Sequence, residues 1–155
     1  MIESTLCYIE KGSQYLMLHR VKKENDINRD KWIGIGGKLE KGETPDGCLL
    51  REVKEETGLT LTDFRARGIV FFDNTEYEQE TIYLYTASGW TGEMHGCDEG
   101  DLEWIDKQQL ASLALWEGDK IFLRLIEADA DFFRLTLRYK GDRLIGAVLN
   151  GETIV

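Results

Sequence analysis

One proline in 155 residues, three cysteines, a shortage of basic side chains and no long apolar run set the first limits on this chain. Cys7, Cys48 and Cys97 are odd in number and widely spaced, which excludes a disulfide framework and a cysteine metal knuckle and fits reduced thiols in a cytosol. Without an apolar stretch of about 18 residues there is no helical membrane span. Met1-Ile2-Glu3-Ser4-Thr5 has neither the basic start nor the apolar run of a secretory signal, so the expected location is cytoplasmic. Lys and Arg number 19 against 29 acids, a formal charge of −10, which opposes general binding to nucleic acid or to an anionic membrane. A small phosphorylated molecule is still compatible, held by metal ions and a few local cations such as Arg20, Lys22, Lys23 and Lys38. Repeats, low-complexity segments and linkers are absent. With 42% apolar residues, the chain is expected to form one globular domain over residues 1–155.

The single proline marks the stretch around which everything else is arranged. Thr44 is a good N-cap, and Pro45 follows at the first helical position, where a missing N–H costs nothing. Gly58 suits the left-handed residue that ends a helix. At ~100° per residue, Glu52, Glu55 and Glu56 point into one sector, while Leu49, Leu50 and Val53 are free to dock on a core. Like charges at this spacing repel, and a hard divalent cation with oxygen ligands converts that repulsion into coordination. Before the helix, Trp32 to Gly37 reads as a strand passing into a glycine loop, whose glycines allow close backbone approach and unusual dihedrals.

These residues resemble the signature of the Nudix hydrolases. Gly37, Glu43, Arg51, Glu52, Val53, Glu55, Glu56, Gly58 and Leu59 meet all nine specified positions of that pattern over 23 residues, about a seventh of the chain. The resemblance implies hydrolysis of a diphosphate linked to another group, commonly a nucleoside, by water with Mg²⁺ or Mn²⁺. It matches Glu52, Glu55 and Glu56 to the family's metal ligands and catalytic acids, and the Gly36 carbonyl to a further ligand. Glu52 is the choice for the base or water-orienting group. Glu43 and Arg51 are expected to form an ion pair that holds loop to helix, and Lys38 to touch phosphate. A later loop supplies a further acid, for which Glu99 is chosen over Asp101 and Glu103.

Within the family, Trp32 to Lys38 and Trp116-Glu117-Gly118-Asp119 resemble the MutT-like branch that hydrolyses oxidised purine nucleoside triphosphates such as 8-oxo-dGTP. That resemblance implies that Trp116 stacks on the base, Asp119 meets its edge, and Phe72 lines the same pocket, with Arg20 and Lys23 toward the substrate. Ile33 stands where close relatives of the branch place an asparagine, and Gly118 replaces one of two adjacent aspartates. The alternatives are a hydrolase of dinucleoside polyphosphates or nucleotide sugars, and a nucleotide-sensing module without catalysis. No oligomeric state follows from the residues.

The remaining pattern predicts strands at Leu6–Ile9, Gln14–Arg20, Phe64–Phe72, Tyr77–Ala87, Leu102–Ile105, Phe133–Tyr139 and Arg143–Leu149. Residues 21–31 are expected to be an exposed loop that borders a site. Asp106 caps a short helix to about Ser112, and a second helix runs from Trp116 to about Ala128. The expected class is α+β, a Nudix-type α/β/α sandwich with a mixed sheet between helices.

Overall fold

The computed structural model describes residues 1–22 and 25–155. Its strands are β1 (Ile2–Lys11), β2 (Gln14–His19), β3 (Trp32–Ile33), β4 (Ile35–Lys38), β5 (Thr60–Asn74), β6 (Glu80–Thr91), β7 (Asp101–Asp106), β8 (Phe133–Lys140), β9 (Arg143–Leu149) and β10 (Glu152–Thr153). The α-helices are α1 (Pro45–Thr57) and α2 (Glu117–Glu127), and a 3₁₀ helix covers Lys107–Ser112. All the strands join one mixed sheet in the order β10-β9-β8-β5-β6-β1-β2-β3, with β4 paired to β1 and β7 to β2. β1 runs parallel to β6 and β5 parallel to β8; the other pairs are antiparallel.

Alternation along the central strands builds two cores on the two faces of this sheet. Tyr8, Tyr15 and Met17 point to one face, where α2 lays down Phe122, Leu123 and Ile126. Cys7, Ile9, Leu16 and Leu18 point to the other, where α1 lays down Leu49 and Val53. Burial on both faces explains why these strands read as continuous apolar runs. The sheet therefore lies between helices, an α/β/α sandwich.

Several expected boundaries move. β1 begins at Ile2 rather than Leu6, because β6 pairs with it from Ile2↔Glu80 onward. Tyr77 sits in the connection between β5 and β6, not in a strand. That connection is tied down by Asn74, whose side chain accepts from the Glu76 N–H and donates to the Gly141 carbonyl. The Gly36–Gly37 segment is strand, not loop, and neither glycine has a positive φ. Their role is close approach alone. A Cβ on Gly36 would lie 1.9 Å from the Thr5 carbonyl oxygen, and one on Gly37 would lie 2.4 Å from the Glu52 carboxyl carbon.

Candidate active site

Helix α1 carries the acids and is fixed at both ends. The Thr44 hydroxyl accepts from the Gly47 N–H at 3.0 Å, Pro45 opens the first turn, and Gly58 closes the helix at φ 84°. Arg51 then locks α1 to the strand that precedes it. Its Nε and Nη2 donate to both Glu43 carboxylate oxygens at 2.7 and 2.9 Å, and Nη2 also donates to the Lys38 carbonyl at 3.1 Å. This bidentate pairing pulls the Glu43 carboxyl down to about 2.

The three glutamates of α1 do not point alike. Glu52 and Glu56, one helical turn apart, enter a cleft of about 1020 Å³; Glu55 lies on the flank with its side chain 59% exposed. Glu55 follows Arg51 by four residues, and Arg51 Nη1 bridges it at 3.1 Å to Glu52 at 2.7 Å. The acid that joins Glu52 and Glu56 in the cleft is Glu99, from the loop before β7. Glu99 lies close enough to Glu56 to act on its carboxyl. Burial, then the Glu99 charge, raises the Glu56 carboxyl well above the usual carboxylate range, while the Gly36 N–H opposes the shift. Glu52 is also raised, mainly by burial, with Arg51 opposing.

Among the described residues, no three His, Cys, Asp or Glu side chains stand together at metal-holding spacing. The donor set nonetheless fits a hard cation. Glu56 Oε2 is buried without a hydrogen-bond partner, and the facing groups are all oxygen donors. Gly36 lines the same cleft as Glu52, Glu56 and Glu99, so its backbone adds a further oxygen to that wall.

The other end of the same cleft is aromatic. Phe72, Trp116 and Tyr139 pack with ring centroids 5.2–5.5 Å apart. Asn28 accepts from Trp116 Nε1 at 2.7 Å, and Lys31 Nζ sits 4.4 Å from the Trp116 ring centre. Asp119, in the first turn of α2, faces the cleft from a buried position, and burial raises its carboxyl to about 8 against the opposition of Lys31. It is neutral at pH 7 and so offers an O–H as well as an acceptor.

A comparison with known families decides what this arrangement belongs to: the NUDIX domain profile matches residues 3–126. The chain belongs to the Nudix family. It is 30% identical over 105 residues to the oxidized purine nucleoside triphosphate hydrolase of Danio rerio, covering 67% of each chain. It is 35% identical over 74 residues to the 8-oxo-dGTP diphosphatase of Escherichia coli (strain K12), covering 45% of this chain and 54% of that one. Among solved structures, the MutT protein of Bacillus halodurans superposes with TM-score 0.86 at 26% identity, over 98% of this chain and 99% of that one. The protein is a MutT-like Nudix hydrolase.

On this Nudix scaffold the expected substrate residues part company. Lys38, Phe72, Trp116 and Asp119 line the cleft. Arg20 also lines it, but its guanidinium is engaged by Asp26 at 2.7 Å and Glu99 at 3.1 Å, so it braces the loop that carries Glu99. Lys23 lies outside the described residues. Asn25–Asn28 border the cleft, as the charged stretch 21–31 was expected to do. Gly118 has no room for a side chain: a Cβ would meet the Tyr139 hydroxyl at 2.6 Å and Leu137 Cδ1 at 2.5 Å. Asn28 and Lys31 fall in the 21–31 stretch expected to border a site but carry no individual signal, and Tyr139 and Glu80 are brought here only by their strand positions.

Proposed function

We propose that this protein is a cytosolic Mg²⁺-dependent pyrophosphohydrolase of oxidised purine nucleoside triphosphates, 8-oxo-dGTP among them, releasing the monophosphate and pyrophosphate. One observation carries the reading: a single cleft joins buried carboxylates at one end to an aromatic pocket with a neutral carboxyl at the other. That is the polarity of a nucleotide, phosphates first and flat base second. The names of the Danio rerio and Escherichia coli relatives point the same way. The cytosolic placement is supported by three buried, unpaired cysteines, the state expected in a reducing compartment.

Glu52, Glu56, Glu99 and the Gly36 carbonyl would hold the divalent ion, with Glu55 at the rim. The ion supplies charge neutralisation on the phosphates and a more acidic water. Glu52 takes the proton from the attacking water, and Arg51 orients its carboxylate. Glu43 in turn fixes Arg51, so the acid is set before substrate arrives. Lys38 faces the phosphate chain. Phe72 and Trp116 enclose the base, and Asp119 hydrogen-bonds its edge.

The test is pyrophosphate release from a nucleotide panel with Mg²⁺ or Mn²⁺, including 8-oxo-dGTP, dGTP, a dinucleoside polyphosphate and a nucleotide sugar. Metal-dependent release, highest with the oxidised purine and lost in Glu52→Gln and Glu56→Gln, is the expected result. Full activity in chelator, or unchanged rates in both variants, would reject it.

A further inference from the structure

Glu80 has no part in the chemistry above, yet it stands between the two ends of the cleft. Strand register places it. It lies directly across from Phe72 on β5 and from Ile2 on β1. Ser4, two residues on from Ile2, lies across from Lys38 on β4. Side chains paired in this way share a sheet face, so the row from the aromatic end runs Phe72, Glu80, Ser4, Lys38. All four line the cleft.

The setting is an odd one for an acid. Glu80 is partly buried beside Ile2, Ile82 and Phe72, and burial is the main cause that raises its carboxyl. Ser4 Oγ donates to one carboxyl oxygen, and among the described residues no other side chain donates to Glu80. A carboxylate offers about four acceptor positions, so acceptor capacity remains toward the cleft. A phosphate oxygen cannot use it, because two anions repel. The uncharged part of a nucleotide can, through sugar hydroxyls or base N–H groups.

We propose that Glu80, held by Ser4, is a specificity-determining residue that accepts a hydrogen bond from an O–H or N–H donor of the bound nucleoside. The inference rests on the nucleotide reading of the cleft. A site built to satisfy a donor discriminates strongly against an analogue that lacks it, because its own acceptor is then left unpaired.

The experiment measures kcat/KM with Mg²⁺ for 8-oxo-dGTP, its ribonucleotide counterpart and its analogue without the 2-amino group. The proteins are wild type, Glu80→Gln, Glu80→Ala and Ser4→Ala. The Glu80 variants are expected to compress one selectivity ratio by about 10-fold, and Ser4→Ala to shift the same ratio less. A change in the ribo/deoxy ratio assigns the donor to the sugar, and a change in the amino/no-amino ratio assigns it to the base. An equal loss on all three substrates would overturn the inference, leaving Glu80 as cleft wall. Should a Glu80 variant fail to fold, Ser4→Ala decides by the same two ratios. No hydrolysis of any of the three by the wild type would instead overturn the nucleotide reading beneath it.

Discussion

Asp119 shows how far a single side chain can depart from its ordinary behaviour. Its carboxyl titrates near 3.8 when exposed and near 8 here, because burial disfavours the charge. Between those values the folded protein holds a proton that the unfolded chain has released. Stability from this group is therefore full below about pH 4 and falls as pH rises toward 8. Asp119→Asn should flatten the pH-dependence of unfolding between pH 5 and 8, where one such group contributes at most about 1.4 kcal/mol per pH unit; urea titrations at several pH values measure it. On the proposed role of Asp119, the wild type should show an alkaline fall of kcat/KM near pH 8 and this variant should lack it. Glu56→Gln is expected to lower kcat on the order of 10²-fold, since it removes an oxygen ligand of the proposed divalent ion, while the circular dichroism spectrum stays unchanged. At this scale the sequence was partly legible. Glu43, Arg51, Glu52 and Glu56 are fixed by motif spacing, but Glu55, which the angular argument put in the same sector, lies on the exposed helix flank against Arg51.

The glycines of β4 give a contrast at the level of an element. At Gly36 an added methyl meets the Thr5 backbone carbonyl, which belongs to a paired strand and cannot give way. Gly36→Ala should cost about 3 kcal/mol in a thermal or denaturant melt. At Gly37 the methyl meets only the end of the Glu52 side chain, which can move. Gly37→Ala should keep the fold within about 1 kcal/mol and still lose most activity, because Glu52 is pushed from its place. Helix α1 and the β8–β9 hairpin were readable in advance, since Thr44, Pro45, Gly58 and Gly141 are local signals. The parallel pairings β1–β6 and β5–β8 were not. Their partners lie about 60 or more residues apart, and nothing local marks them. The two-residue strand β10 is too short to carry a pattern at all.

Across the whole molecule, two cores pack on opposite faces of one sheet. Phe122→Ala, on the α2 side, should cost about 3–5 kcal/mol in chemical denaturation. The charge of −10 acts over longer distances. An acidic surface repels an anionic nucleotide, so kcat/KM should rise, not fall, as KCl is added at fixed free Mg²⁺. Net charge and the α/β/α class were both legible from composition and element order. The cleft itself was not, because it is assembled from β1, β4, β5, β6, α1, α2 and β8 together.

Residues beyond 126 fall outside the family match, yet Leu137 and Tyr139 form part of the cleft wall and Asn74 is stitched to Gly141. A chain trimmed at the family boundary would keep every signature acid and lose the Leu137–Tyr139 wall of the cleft. On the proposed reading, the base is thus enclosed partly by a tail that no signature would flag.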